Sequence, residues 1–134
     1  MPMNISTVLQ QYADQIGGTF TNYDHEKCIV VVPLKDNRFQ TVLAVNEKSK
    51  VSGKPRLYFS SKVSDLNDTI NPKDLLIQNG NFDYSKFIIE DGQLKVEASC
   101  LSDSVSEDEI RFMIQEVAQL ADQYELRFTG KDVF

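Results

Sequence analysis

The 134-residue chain has no tryptophan, a single histidine and only two cysteines. Each shortage closes off a kind of chemistry. His25 is the lone imidazole and sits between Asp24 and Glu26 in a turn-like stretch. Acid–base work there would need a partner and a pocket to which nothing in the sequence points. Ser99, Ser102, Ser104 and Ser106 read as lacking a histidine partner, since the lone His25 sits in a distant turn, and no serine triad is expected. Cys28 and Cys100 lack CxxC or histidine spacing and read as buried, reduced thiols rather than metal ligands. No GxSxG, Walker or GxGxxG pattern occurs, and Gly17-Gly18 follows a helix and precedes a strand, the reverse of a phosphate cradle. Asp103, Glu107 and Asp108 could gather a cation, but acidic residues at a helix start serve the helix dipole first. The expectation is a protein with no catalytic residue, cofactor or metal.

Long apolar runs are also missing. None approaches the ~18 residues that would span a bilayer. The first seventeen residues, MPMNISTVLQQYADQIG, carry neither a basic region nor an uninterrupted apolar one, so no signal peptide is expected and the cytoplasm is the expected location. Net charge is −6, which argues against nucleic acid and anionic membrane as partners. Residues 35–62 go against that balance, with seven basic side chains and two acidic ones. Those lysines and arginines read either as guards on exposed strands or as a surface patch. Repeats, linkers and low-complexity segments are lacking too. The length suits one domain, 1–134, with a core of its own.

The stretch from Tyr84 to Arg127 organises the chain. Residues 84–90 and 93–100 flank Asp91-Gly92, a two-residue loop that signals a hairpin because a type I′ turn needs positive φ at both positions. That turn sets a register with Ile89 opposite Leu94, Phe87 opposite Val96 and Ser85 opposite Ala98 on an apolar face. Lys86 then meets Glu97 on the other face. A long helix follows, with Ser106 as N-cap, Glu109 as capping-box partner and Val105 able to staple onto Ile110. Ile110, Met113, Ile114, Val117, Leu120, Ala121 and Tyr124 form one stripe. Phe112 lies off it, as edge packing or as a contact residue.

Upstream, Ile5, Val8, Leu9, Tyr12, Ala13 and Ile16 predict a helix that ends at Gly17-Gly18. Strand-like runs follow at 19–23, 27–34, 38–46 and 56–63. The run at 27–34 is apolar on both faces, with Cys28, Val30, Val32 and Leu34 on one and Ile29 and Val31 on the other. This predicts a central strand covered twice, or once by helices and once by a partner. In the next two runs Phe39, Thr41, Leu43 and Val45 share a face, as do Leu57, Phe59, Ser61 and Val63. Residues 71–80 predict a short helix capped by Asn71, with Leu75, Leu76 and Ile77 packed inward. The tail 128–134 carries Phe128, Val133 and Phe134. The whole reads as α+β: an antiparallel sheet with the N- and C-terminal helices on one face, in the order α-β-β-β-β-α-β-β-α.

This order, the helix ending in Gly17-Gly18, the LLIQNG segment (75–80), the YSKFIIEDGQLKVEA hairpin (84–98) and the helix begun at Ser106 resemble the type III secretion chaperone-like fold and the YbjN-like bacterial proteins that share it. The likeness covers about 4–127 and leaves out loop 47–55 and the tail. It implies a non-enzymatic binding protein that is usually a homodimer. In secretion chaperones, extended effector segments wrap apolar patches on the dimer; YbjN-like members look regulatory or accessory.

Two functions follow. The first is a protein-binding module, chaperone-like or a regulatory adaptor, that uses Ile29, Val31, Val42, Tyr58, Phe112 and Phe134 against a partner protein or a second copy. The second is a small-ligand binder or small enzyme with Tyr58, Ser60 and His25 around a pocket on the sheet.

Overall fold

The computed structural model describes residues 4–24 and 26–129. Helix α1 spans Ile5–Ile16, β1 Thr19–Asn22, β2 Lys27–Pro33, β3 Phe39–Lys48, β4 Pro55–Asp65, α2 Pro72–Asn79, β5 Ser85–Glu90, β6 Gln93–Leu101 and α3 Glu107–Thr129. A single 3₁₀ turn, Lys35–Asn37, links β2 to β3. This is the expected order. The strands form one six-stranded antiparallel sheet in the order β1-β2-β3-β4-β6-β5.

Local chemistry explains the boundaries. The Asn4 side chain accepts the Thr7 N–H at 3.2 Å and starts α1. Gly17, at φ 73°, ends it, and the Gly18 N–H returns to the Ala13 carbonyl at 2.8 Å. Ser106 and Glu109 form the reciprocal capping box: the Ser106 N–H donates to Glu109 Oε1 at 3.2 Å, and the Glu109 N–H donates to Ser106 Oγ at 3.1 Å. Asp91 (φ 54°) and Gly92 (φ 73°) make the type I′ turn. The β5–β6 register is the one the turn predicts, with Phe87 on Val96, Ile89 on Leu94 and Lys86 on Glu97.

Strand registers put Phe20, Val30, Val42, Ala44, Phe59, Val96, Ala98 and Phe87 on one side of the sheet. Both long helices cover that side. α1 lies over β1 and β2, and α3 crosses β3, β4, β6 and β5. Leu9, Val32, Phe59, Leu94, Ile110, Met113 and Ile114 are fully buried between the layers.

Two expectations are corrected. Leu75 alone of its trio packs inward; Leu76 and Ile77 are 70% and 60% exposed. Adjacent helical residues point about 100° apart, so a two-turn helix lying on the sheet's margin can bury only one of the three. Val42, expected at a contact surface, is fully buried, because it pairs with Val30 and shares that residue's core-facing side.

Candidate functional site

Among the described residues no helix lies over the sheet's back face, and the registers say what it displays. Ile29 sits beside Leu43, Leu43 beside Ser60, and Ser60 beside Glu97. Val31 sits beside Thr41, and Val45 beside Tyr58. Ile29, Val31, Leu43, Val45 and Tyr58 are all half-buried. Their neighbours on the sheet shield them partly, but none is sealed into a core. The apolar part lies over β2, β3 and β4, whereas the β6–β5 part is charged. Lys62 and Lys95 stand opposite each other there, a repulsive pairing relieved by Lys62–Asp65 at 3.0 Å and Lys95–Glu90 at 2.8 Å. Lys86 meets Glu97 at 3.8 Å, the pair the hairpin predicted. Burial pushes the Glu97 carboxyl above its ordinary pKa, although Lys86 draws it back down.

A trough runs over this face. One part, of about 450 Å³, is floored by Leu43, Val45 and Tyr58 and bounded by Lys48–Val51 of the β3–β4 hairpin tip. Another part, also about 450 Å³, adds Ile29 and Thr41 and shares Leu43, Ser60 and Lys95 with the first. The hairpin tip is an ordered turn. Ser49 Oγ accepts the N–H groups of Val51 (3.1 Å) and Ser52 (3.2 Å), and the Gly53 N–H donates to the Ser49 carbonyl at 2.9 Å. That turn holds Val51 98% exposed. Arg56 lies 5.9 Å from the Tyr58 ring and donates to Ser99 Oγ at 2.9 Å.

Of the predicted contact residues, Ile29, Val31 and Tyr58 come together here, and Val42 is on the other side. Phe112 is 62% exposed on α3, where with Tyr84 and Gln119 it lines a separate cleft of about 470 Å³ on the helix side. Phe134 and His25 lie outside the described residues. The sequence reading missed Leu43 and Val45 as site residues. Their signal was the period-two pattern of β3, which had already placed them with Phe39 and Thr41 and so opposite Val42.

The sheet edges differ. On β5, Asn79 Oδ1 accepts the Phe87 N–H at 2.6 Å. Glu116 accepts the N–H groups of Asp83 (2.9 Å), Tyr84 (2.9 Å) and Ser85 (2.7 Å). Burial alone would raise the Glu116 pKa; these hydrogen bonds outweigh it and hold the carboxyl below its ordinary value. On β1, no further strand pairs with the outer edge among the described residues. Cys28 and Cys100 are free thiols, both pushed up to about 11 by burial. Among the described residues no group of three or more His, Cys, Asp or Glu could hold a metal ion, and no helix is long and apolar enough to cross a membrane.

A six-stranded antiparallel sheet with terminal helices on one side and a short helix before the last hairpin is the type III secretion chaperone-like fold. Solved structures share it over nearly the whole chain. A HopA1–SchA chaperone–effector complex matches with a TM-score of 0.58 at 14% identity, covering 92% of this chain and 98% of that one. The Yersinia pestis type III secretion chaperone SycH, solved with a stable fragment of YscM2, gives 0.56 at 14% identity, over 89% and 98%. YbjN from E. coli, described as a putative transcription regulator, gives 0.54 at 17% identity, over 96% and 93%. No protein-family model and no curated protein matches the chain.

Proposed function

We propose that this chain is a non-enzymatic protein-binding module, chaperone-like or an accessory adaptor, working in the cytoplasm as a homodimer. The observation that carries the reading is the back face, which no helix covers among the described residues and whose Ile29, Val31, Leu43, Val45 and Tyr58 stay only half-buried beside a core packed on the other side of the sheet. Chaperones solved with bound protein share the fold, which supports the same reading by analogy. Tyr58 and Ser60 line an open trough and not an enclosed cavity, which favours a polypeptide over a small ligand.

The second copy is assigned to another surface. Leu76 and Ile77 on α2, and Ile89 on the adjoining β5, are 70%, 60% and 52% exposed. The test of the binding role is affinity capture from the native host, comparing the chain with its Val31→Asp variant. A protein recovered by the first and lost by the second, at unchanged thermal stability, supports the reading. Identical recoveries, or none with either, refute it.

A further inference from the structure

We propose that the back-face trough takes an extended segment of a partner protein in which apolar residues are interleaved with aspartate or glutamate. The inference rests on the protein-binding reading above and says what the partner segment is made of. The floor, Leu43, Val45 and Tyr58, is apolar. From β2 across to β6 the face spans three inter-strand spacings, about 14 Å, the reach of four or five extended residues. Val51, displayed at the rim by the Ser49 turn, is placed to close on such a segment.

Charge then selects its composition. Lys27, Lys48 and Lys50 border the trough and make no ion pair among the described residues. The carboxylates of the trough are largely answered from within. Glu90 pairs with Lys95 and Glu97 with Lys86, while Glu47, opposite Arg56 in the β3–β4 register, makes no ion pair among the described residues. Three uncommitted cations against one uncommitted carboxylate, Glu47, therefore border an apolar floor on a molecule whose net charge is −6. An acidic segment is repelled by the molecule as a whole and attracted at this one place, which favours register there over nonspecific contact. A second copy docked symmetrically would bring both sets of Lys27, Lys48 and Lys50 onto one interface with only the two Glu47 carboxylates uncommitted, a net like-charge arrangement. A nucleic acid would bring its phosphate chain over Glu90 and Glu97 with a single aromatic, Tyr58, to stack on.

The experiment uses the full chain and three fluorescent probes. One is a ten-residue peptide alternating leucine or valine with aspartate or glutamate. The second is the same peptide with lysine at every acidic position, and the third is a single-stranded ten-mer DNA. The acidic peptide is expected to bind at least about tenfold more tightly than the other two, and to weaken as salt is raised. Methyl signals of Leu43, Val45 and Val51 should shift with it. Lys27→Glu/Lys48→Glu/Lys50→Glu should reverse the peptide preference, since each reversal replaces an attraction by a repulsion. If the triple variant fails to fold, Lys50→Glu alone, on the hairpin tip, carries the same comparison. Equal or tighter binding of the lysine peptide or the DNA, binding indifferent to charge reversal, or no binding by any probe overturns the proposal. A partner captured from the host that still binds the charge-reversed variant leaves the protein-binding role standing and removes only this one.

Discussion

Single residues decide how the two layers meet. Gly18 follows the end of α1 and runs so close to β2 that a Cβ built there would stand 2.2 Å from the Val31 carbonyl oxygen, a backbone atom that cannot step aside. Gly18→Ala is therefore expected to cost about 1–3 kcal/mol, read as a lower denaturation midpoint in urea; an unchanged midpoint would contradict the packing described. Two glutamates make opposite pH predictions. The folded pKa of Glu116 lies below its unfolded value, so its contribution is present above the unfolded pKa and is lost as pH falls through the folded one. Glu116→Gln should remove about 1 kcal/mol at neutral pH, toward the low end because solvent reaches the clamp, and should flatten the acid limb of the stability curve. The folded pKa of Glu97 is raised, chiefly by burial, so its ionised form opposes folding and stability is lost as pH rises through that pKa. Glu97→Gln should leave the neutral-pH midpoint no lower than that of the parent chain. Thermal melts at several pH values check both signs.

At the scale of elements, what was legible in the sequence was whatever depends on neighbours along the chain. Asn4 and Gly17 bound α1, Ser106 and Glu109 open α3, and Asp91-Gly92 sets the hairpin register, because each of these devices is closed within a few residues. Contacts that depend on which element lies beside which were not legible. Gln40 is buried beside Ser61, to which its Nε2 donates at 2.9 Å, although nothing in β3 marks a core glutamine. Asp122, on the buried side of α3, receives Arg38 Nε at 3.2 and 3.0 Å, a partnership 84 residues apart. The candidate face was half legible. The two-sided β2 pointed to Ile29 and Val31, but which side of β3 joins them follows only from the Val30–Val42 register. The guarding of β5 by α2 was equally invisible, and it yields a prediction. Asn79→Ala strips the acceptor from the Phe87 N–H. It should cost about 1 kcal/mol and speed hydrogen exchange at that amide more than at Val96 inside the sheet. Equal acceleration at both would mean general loosening instead of an opened edge.

For the whole molecule, the guarded edge constrains how two copies can meet. With Asn79 on Phe87 and Glu116 on Ser85, β5 cannot extend its sheet into a neighbour's without first losing both clamps. A homodimer formed on this side must therefore pack side chains, and the apolar ones on offer are Leu76, Ile77 and Ile89. Leu76 and Ile77 alone fall well short of the roughly 800 Å² per partner that stable dimers bury, so the contact has to run from α2 onto β5. An isologous arrangement satisfies this, each α2 lying on the other's β5 with the two back faces left free for a partner segment. Because Leu76 and Ile77 leave the chain's own core untouched, Leu76→Glu/Ile77→Glu should separate assembly from folding. Sedimentation at tens of micromolar is expected to show a dimer for the parent chain and a monomer for the variant, with the variant's thermal midpoint lowered only by the lost association. A parent chain that stays monomeric at high micromolar concentration, or a variant that stays dimeric, would place the second copy elsewhere or nowhere.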